Sequence, residues 1–463
     1  GFILAAIGSA AGLGNIWRFP WLTAQNGGSA FLIVYLALVI GIGVPGLLVE
    51  FVLGRRGQRS PVGTLRTITN SWWGSLVGGF NVATTLVILT FYSVVGGWIL
   101  RYLLLSPTGA YFGQPQADFR QMSFGIPAVA FHLVFLGLVA GIVFFGISRG
   151  IERASKIMLP AIVVLLVGLA AWVSTQPGTA TGYAFYLEFD AQYILDNFFA
   201  ILGPAAGQAL FTLSVGAGAM ITYASYLDGD ESLPRDTFVI ALSNTIIGVL
   251  AGLVVFPLLF SQGIDPGQGG PGALFVALAR AFSALPGGHL VATVFFGTVF
   301  MAALTSGINL LETPVATLVD ERDLSRRTAT VTVASLLAVT GSVLAMAGPL
   351  FRFVSGTLAN LLLTVGLFAF LAIAGWVHRD GAVAEFRTGA GALAPLATPW
   401  RVLVGWVLPV VVLFTLTNSL TSLAGLSLGL TGRFAVAVVG VLVCRGIVAL
   451  TRADNISPRT VVE

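Results

Sequence analysis

Charged residues are scarce in this chain: they make up only 9% of its 463 residues, whereas hydrophobic residues make up 56%. A soluble domain carries about 25% charged residues, so the composition excludes an ordinary soluble protein. It indicates an integral membrane protein with apolar segments that can each cross a bilayer. The net charge of +4 requires no nucleic-acid partner, because basic loops on the cytoplasmic side are what membrane topology demands.

Cysteine and histidine are also rare. The one cysteine, Cys444, excludes an internal disulfide framework. The histidines His132, His289 and His378 are scattered along the chain, so the sequence contains no cluster of metal ligands. No pairing of a nucleophile with a base is recognisable, and an enzyme is therefore the least expected class of function.

Twelve apolar segments are long enough to span a membrane, which takes about 20 residues. Most of the 23 lysine and arginine residues fall in loops on one side of these segments. With an even number of spans, this bias predicts that both termini are cytoplasmic, and we expect a multi-pass protein of the plasma membrane. The predicted spans cover residues 1–24, 29–54, 76–105, 124–147, 153–174, 193–226, 236–260, 288–319, 325–347, 352–377, 400–422 and 430–451.

Two of these spans carry helix-weakening residues near their middles: span one over Ala11–Asn15 and span six over Thr212–Gly218. Because they stand first and sixth, they hold matching positions in two five-span repeats. Repeats with an odd number of spans must face opposite ways across the membrane. Glycine-interrupted segments in corresponding positions point to a transporter binding site. The sequence thus predicts repeats over residues 1–174 and 193–377, and two further spans over 400–451, in one transport domain.

Breaking a helix inside a membrane has a physical cost, since each freed carbonyl or N–H group without a partner costs several kcal/mol. Glycine makes unwinding easier because it adopts backbone angles that other residues avoid. Freed carbonyls can coordinate a cation, and the half-helix N-termini can hold a carboxylate. Close helix packing would also explain one such glycine pair, but it explains less well two pairs flanked by Asn15, Thr212 and Ser214.

The sequence around these breaks resembles the neurotransmitter:sodium symporter family, especially its prokaryotic amino-acid carriers. The resemblance extends over essentially the whole chain. It implies an all-α integral membrane protein with 12 transmembrane helices in a 5+5 inverted repeat, the fold of the bacterial leucine carrier, with helices one and six broken. It also implies secondary active transport driven by sodium. The stretches that carry the resemblance are Gly8–Pro20, Gln25–Gly28, Arg149–Arg153, Gln208–Tyr226 and Leu304–Ser306.

The resemblance implies two sodium sites built from neutral oxygen ligands, which suit a hard cation. Asn15, Asn244 and Thr305 are polar side chains in apolar spans, where a partner is expected. Thr305 and Ser306, taken alone, could simply hydrogen-bond to their own helix. The first site would be formed by Ala10, Asn15, Thr212 and Asn244 with the substrate carboxylate, and the second by Gly8, Ala11, Ala302, Thr305 and Ser306.

Two features favour an amino acid over a monoamine as substrate. Gly12 stands where the family's amine carriers place an aspartate, and no acidic residue lies in the break of span one, so a sodium ion there favours a ligand with its own carboxylate. Ala217 replaces a phenylalanine of the leucine carrier, which leaves room for a hydrophobic side chain up to aromatic size. The implied substrate-binding residues, some of which could singly be ordinary core residues, are Ala10, Gly12, Leu13, Gly14, Ile88, Tyr92, Phe211, Thr212, Ser214, Ala217, Ser306 and Leu310.

Two gates are implied as well. Arg18 would close the outer side, but the position of its usual aspartate partner is Arg352, and two arginines cannot form a salt bridge. An anionic substrate group or a bound anion near Arg352 therefore stays open. Asp320 matches the inner gate.

Chloride is a further expected ligand. Some prokaryotic members carry a carboxylate that stands in for chloride beside the first sodium, and the matching position here is Gly248. No nearby acidic residue in that span replaces it. We therefore expect chloride to bind at the remaining donors, which are Tyr35, Gln208, Thr212 and Asn244.

Two glutamates, Glu50 and Glu312, also fall within predicted spans. They either belong to an ion or proton pathway or, as we favour, serve as structural carboxylates hydrogen-bonded to opposing backbone.

Other functions stay open: a symporter for another small zwitterion or an anionic solute of the taurine or GABA type, and a sensor that binds an amino acid without moving it. The expected partners are the small-molecule substrate and membrane lipids, with no nucleic acid, and the chain is either a monomer or a dimer.

Overall fold

The computed structural model describes residues 6–8, 12–146, 150–227, 229, 231–264, 273–424 and 428–454. All regular elements in these ranges are helical, which confirms the all-α fold class. Eleven helices in the described ranges are long and apolar enough to cross a membrane. In chain order, as spans two to twelve, they are Ser29–Gly57, Trp72–Leu105, Ile126–Phe144, Glu152–Ser174, Ala191–Thr212, Leu233–Ser261, Gly288–Arg322, Arg326–Met346, Gly348–Val377, Gly391–Thr421 and Leu430–Ala449.

Span one accounts for the difference between the twelve spans predicted and the eleven long helices. Its described residues form short pieces rather than one helix: a helical stretch over residues 6–8, a bend at Gly12, a π-helical turn over Gly14–Arg18 and an α-helix over Phe19–Gln25. Residue 11 of the predicted break, and residues 9 and 10 before it, lie outside the described residues. The pieces are too short to be counted as a spanning helix, although together they occupy the predicted segment.

Span six is broken where the sequence predicts. The helix ends at Thr212 and resumes over Ala219–Ala224. Between them Ser214, Gly216 and Gly218 have positive φ angles of 55°, 95° and 74°. Glycine adopts such angles without steric cost, whereas Ser214 adopts a conformation that L-residues with a side chain rarely take. The glycines therefore make this break possible, and the prediction of a broken sixth span is confirmed.

Polar side chains from neighbouring spans satisfy the backbone that the break leaves free. Glu50 of span two is fully buried and accepts a hydrogen bond from the Gly216 N–H at 2.6 Å. Thr85 of span three donates to the Ala217 carbonyl at 2.9 Å. Backbone groups inside a membrane need hydrogen-bond partners, and these two contacts supply them. They support the interpretation of Glu50 as a structural carboxylate.

Glu312 is likewise held in a local network. This fully buried carboxylate forms an ion pair with Arg326 at the start of span nine and accepts a hydrogen bond from the Tyr226 hydroxyl at 3.2 Å. A buried carboxylate needs both charge pairing and hydrogen bonds to be stable. The network ties the end of span six to spans eight and nine and supports a structural role for Glu312.

Shorter helices connect the spans. One of them, Ala273–Ala284, lies between spans seven and eight. The ring of Phe275 lies 6.3 Å from Trp17, 5.5 Å from Tyr102 and 6.3 Å from Phe296, centroid to centroid. Aromatic pairs at such distances are stabilising, so this helix is packed onto spans one, three and eight. The other connecting helices are Pro61–Thr69, Pro115–Ser123, Ala180–Leu187 and Arg379–Arg387.

Candidate functional site

A small cavity, with a volume of about 30 Å³, lies where spans one, three, six, eight and ten meet. All the substrate-binding residues named from the sequence line it, except Ala10, which lies outside the described residues. Leu363 of span ten completes the lining. The full set is Gly12, Leu13, Gly14, Ile88, Tyr92, Phe211, Thr212, Ser214, Ala217, Ser306, Leu310 and Leu363.

One end of the cavity is polar. There the Leu13 N–H donates to the Tyr92 hydroxyl at 3.3 Å, which links the break of span one to span three. Gly12 allows this close approach: a Cβ at that position would lie 1.9 Å from the Ser306 Oγ and 2.7 Å from the Ser306 Cβ. An aspartate at position 12 therefore cannot fit without displacing Ser306, and the described residues at the polar end offer neutral hydrogen-bonding groups.

The other end of the cavity is apolar. Ile88, Phe211, Ala217 and Leu310 come from spans three, six and eight, and Leu363 comes from span ten. Leu363 is 2% exposed. Sequence reasoning missed it because it is one leucine among many in an apolar span, with no polar neighbour or glycine to mark it. Such a wall favours an apolar group, since a polar one would lose its hydration without a compensating bond.

Three side chains of the predicted first sodium site form a closed ring beside the polar end. The Thr212 hydroxyl donates to the Asn15 Oδ1, the Asn15 Nδ2 donates to the Asn244 Oδ1 at 2.6 Å, and the Asn244 Nδ2 donates to the Thr212 Oγ1 at 3.2 Å. All three are buried. The ring joins spans one, six and seven and brings three neutral oxygens together, which is a donor set that suits a hard cation.

The predicted second sodium site lies between spans one and eight. Gly8 faces Thr305, whose Cβ would be 3.6 Å from a Cβ placed on the glycine. The Thr305 hydroxyl donates to the Ala302 carbonyl of its own helix at 3.0 Å, the back-bonding arrangement typical of threonine in helices. Ala11 lies outside the described residues.

Ser155 of span five also borders this place, and the sequence did not identify it. Its Oγ would lie 3.2 Å from a Cβ on Gly8, and the residue is 2% exposed. The buried serine hydroxyl therefore places a further oxygen beside the same glycine. Its only signal in the sequence is a small polar residue two positions after Arg153, which does not distinguish it from other serines.

The predicted anion-binding residues converge near the same ring. Tyr35 is fully buried, and its hydroxyl faces the side chains of Thr212 and Thr245. The Gln208 Nε2 donates to the Gly14 carbonyl at 2.8 Å. A Cβ on Gly248 would lie 3.7 Å from the Asn15 Oδ1, an ordinary contact distance, so position 248 can accept a side chain. The arrangement provides donors for an anion and no fixed negative charge from span seven at that point.

Arg18 lies just outside the cavity, on the side of Phe211. Its guanidinium carbon is 4.5 Å from the centre of the Phe211 ring, a cation–π contact. It donates to the Gln208 Oε1 at 3.0 Å and to the Asn360 Oδ1 at 3.2 Å. Arg18 thereby ties span one to spans six and ten without a carboxylate.

Asn360, and not Arg352, is the contact of Arg18 on span ten. Arg352 is exposed near the beginning of that span, two helical turns before Asn360. A role of Arg352 at the gate stays a prediction: its position in the sequence matches the family's aspartate, whereas Arg18 reaches deeper along the helix and binds the neutral amide of Asn360.

Asp320 lies near the C-terminal end of span eight. Its Oδ2 accepts a hydrogen bond from the Ser60 N–H at 2.7 Å, at the start of the helix Pro61–Thr69. The neighbouring Glu321 binds Arg66 of the same helix through two hydrogen bonds of 2.6 and 3.0 Å. Span eight is thus attached to the connection between spans two and three at this face.

Comparison with known proteins gives a consistent result. The model of the sodium:neurotransmitter symporter family matches residues 1–114 and 119–447. An uncharacterised sodium-dependent transporter of Bacillus subtilis is 33% identical over 442 residues, covering 90% of this chain and 96% of that protein. An uncharacterised sodium-dependent transporter of Methanocaldococcus jannaschii is 32% identical over 453 residues, covering 91% and 90%.

A solved structure is also similar. The crystal structure of MhsT in complex with L-phenylalanine superimposes with a TM-score of 0.81 at 34% identity, and the match covers 90% of this chain and 98% of MhsT. The sodium-dependent dopamine transporter of Bos taurus is 28% identical over 379 residues, covering 70% of this chain and 54% of that transporter.

Proposed function

The chain belongs to the sodium:neurotransmitter symporter family, and from this premise we propose that it carries a hydrophobic amino acid, up to aromatic size, together with Na⁺. Membership makes it a sodium-dependent transporter of a small molecule in a membrane rather than an enzyme. The identity of the substrate and the roles of individual residues are the proposal.

The proposal of a hydrophobic amino-acid substrate is based on one observation: one end of the cavity is polar and the other is apolar. The polar end combines the Leu13 N–H, the Tyr92 hydroxyl and the ring of Asn15, Thr212 and Asn244. A zwitterionic head group would be held there, with its carboxylate beside a cation. The apolar end, closed by Leu310 and Leu363, would take the side chain. MhsT, which shares the fold, was crystallised with L-phenylalanine, and this supports a substrate of that size.

We place one sodium ion in the ring of Asn15, Thr212 and Asn244. On binding, the ion would exchange the mutual hydrogen bonds of these side chains for metal–oxygen contacts, with the substrate carboxylate as the one charged ligand. Because that ligand arrives with the substrate, ion and amino acid would stabilise each other in the site. A second ion between Gly8, Ala302 and Thr305 would hold span one against span eight, and Ser155 adds an oxygen at that point.

Chloride is proposed to bind beside the first sodium. The hydroxyl of Tyr35 lies against Thr212 in a fully buried position. A tyrosine hydroxyl can donate a hydrogen bond, and a chloride ion beside it would accept that bond. The absence of a side chain at Gly248 leaves no fixed charge in that place to perform the same task.

Transport would proceed by alternating access, with the repeats over residues 1–174 and 193–377 moving relative to one another. Arg18 with Asn360 and Phe211 would close the outer path, and Asp320 with Ser60 would close the inner path. The excess of basic residues in one set of loops supports cytoplasmic termini and a plasma-membrane location.

Two alternatives remain, and each predicts a different result. A carrier of a taurine-like or GABA-like solute would require a polar group where Leu310 and Leu363 form the wall. A sensor would bind an amino acid in the same cavity without moving it. The mostly apolar lining favours the hydrophobic substrate.

The test uses purified protein in liposomes, with one labelled hydrophobic amino acid and a panel of unlabelled competitors, each with and without sodium. We expect competition by aliphatic and aromatic amino acids only, and uptake only with a sodium gradient. Exchange of external label against internal unlabelled amino acid distinguishes a carrier from a sensor. Competition by taurine or GABA alone, or binding without exchange, would overturn the proposal.

A further inference from the structure

A second polar pocket lies far from the central cavity, between the ends of spans ten and twelve. It has a volume of about 250 Å³ and is lined by Gly375, Trp376, Arg379, Arg445, Val448 and Ala449. Two of these six residues are arginines and none is acidic. The pocket therefore carries positive charge at the place where two membrane spans end, and sodium-coupled transport as described above makes no use of it.

One of the arginines is held in a fixed orientation. The Arg445 guanidinium carbon lies 3.7 Å from the centre of the Trp406 ring, and its NH1 donates to the Gly405 carbonyl at 3.3 Å. The Trp376 indole N–H donates to the same carbonyl at 2.8 Å. Arginine retains further N–H groups after one such bond, so Arg445 is positioned against the pocket wall with donors left for a ligand.

The charge of the second arginine is only weakly compensated. Arg379 pairs with its neighbour Asp380 at 3.2 Å, but the two side chains are 47% and 84% exposed. Ion pairs as exposed as this contribute little. A ligand with a phosphate group could bridge Arg379 and Arg445, since guanidinium groups bind phosphate oxygens through paired hydrogen bonds.

The surface next to the pocket suits acyl chains. Trp406, Val407, Val443 and Ile447 are all between 45% and 56% exposed. Exposed aliphatic residues on the outside of a membrane span face lipid, and tryptophan is enriched at the level of the head groups. The pocket thus combines a site for an anionic head group with an adjoining apolar surface along spans eleven and twelve.

We propose that this pocket binds an anionic phospholipid, with its phosphate between Arg379 and Arg445 and its acyl chains along Val443 and Ile447. Basic pockets between membrane helices bind such head groups in general. A free phosphate would use the same arginines but not the apolar surface, so the two sources can be separated by experiment.

The experiment is native mass spectrometry of the full chain released from lipid nanodiscs that contain phosphatidylglycerol and phosphatidylcholine in equal amounts. We expect the wild-type protein to retain phosphatidylglycerol selectively. Each of Arg379→Gln and Arg445→Gln should weaken this retention about fivefold, and the double variant should lose the selectivity. Arg445→Lys keeps the charge and should retain most of it, although it loses the stacking on Trp406.

Arg352→Gln is the matched control, because it removes an exposed arginine from the opposite end of span ten and should leave retention unchanged. Arg379→Gln changes an exposed side chain, so it provides a readout even if substitution of Arg445 impairs folding. Equal retention in wild type and double variant would overturn the proposal. So would an equal effect of Arg352→Gln, or complete displacement of the lipid by inorganic phosphate.

Discussion

Gly216 and Leu363 lie backbone to backbone: a Cβ placed on Gly216 would come within 2.1 Å of the Leu363 carbonyl oxygen. The contact presses the break of span six directly onto span ten. It repeats a few residues further along, where a Cβ on Gly366 would lie 2.0 Å from the Gly216 carbonyl oxygen. Since the Leu363 side chain closes one wall of the cavity, the shape of that wall depends on glycine at position 216.

The first prediction concerns this contact. Gly216→Ala must both hold a φ of 95° and force the two backbones apart. The backbone conformation alone costs about 1–2 kcal/mol for a residue with a Cβ, and overpacking adds about 1–3 kcal/mol. We expect a lower melting temperature of the purified protein and loss of uptake. Gly79→Ala on span three, where a Cβ would meet no atom within 4 Å, should change neither.

The second prediction concerns substrate size. Leu363→Ala enlarges the cavity and should raise uptake of tryptophan relative to leucine. Leu363→Phe reduces the cavity and should exclude aromatic amino acids while uptake of small aliphatic amino acids continues. One extra or missing methylene in an apolar pocket changes discrimination by about 1–3 kcal/mol, so shifts of tenfold or more are expected. The measurement is competition against labelled leucine.

Leu362→Ala is the control for substrate size, because that neighbour is half-buried and does not line the cavity. An unchanged order of competitors in both Leu363 variants would show that span ten does not contact the side chain of the substrate. The sodium dependence of leucine uptake should be the same in all three variants.

The sequence predicted the parts of the site that carry a chemical signal of their own. Asn15, Thr212 and Asn244 are polar side chains in apolar spans, and the glycines around Gly216 mark the break in span six. Polar side chains inside a membrane are energetically costly and mark functional sites. The structure brings these three together at one place. The helical fold and the eleven long helices of spans two to twelve follow from apolar length, whereas span one is broken into pieces too short to be counted with them.

Leu363, Asn360 and Ser155 could not be identified in this way. Leu363 is indistinguishable by type from the other leucines of span ten. Its position in the cavity depends on how that span packs against Gly216. Asn360 was missed for a related reason. Alignment with the family pattern identifies Arg352 as the equivalent position in the sequence, but it does not show the direction in which the Arg18 side chain extends. Side-chain reach and helix packing are tertiary properties.

The third prediction concerns chloride. Gly248→Glu places a carboxylate next to Asn15, where a side chain has room. We expect wild-type uptake to fall severalfold when chloride is replaced by gluconate and uptake by Gly248→Glu to be unaffected, because the fixed charge replaces the anion. Gly248→Ala adds volume without charge and should stay chloride-dependent. Wild-type uptake that is indifferent to chloride would be evidence against an anion site at Tyr35.

The fourth prediction concerns the first sodium site. Asn244→Ala removes an oxygen from the ring with Asn15 and Thr212, and we expect the sodium concentration for half-maximal uptake to rise about tenfold, which corresponds to about 1.4 kcal/mol. Thr237→Ala is a matched control on the same helix, since its hydroxyl only bonds back to the Leu233 carbonyl. The same rise in both variants would indicate a general loss of structure instead of a lost ligand.

The fifth prediction concerns the outer gate. Asn360→Asp places a carboxylate 3.2 Å from the Arg18 guanidinium, at the position of the present amide oxygen. A charge-assisted hydrogen bond is roughly twice as strong as a neutral one, and Arg18 and Asn360 are both half-buried, so screening by solvent is incomplete. The closed arrangement should gain stability relative to the open one. We expect slower turnover in liposomes, with tighter apparent substrate binding, and partial recovery of turnover at high ionic strength. Arg352→Gln should leave all three quantities at wild-type values, because Arg352 does not take part in the contact between Arg18 and Asn360. A change as large as that of Asn360→Asp would instead show that Arg352 acts at the gate.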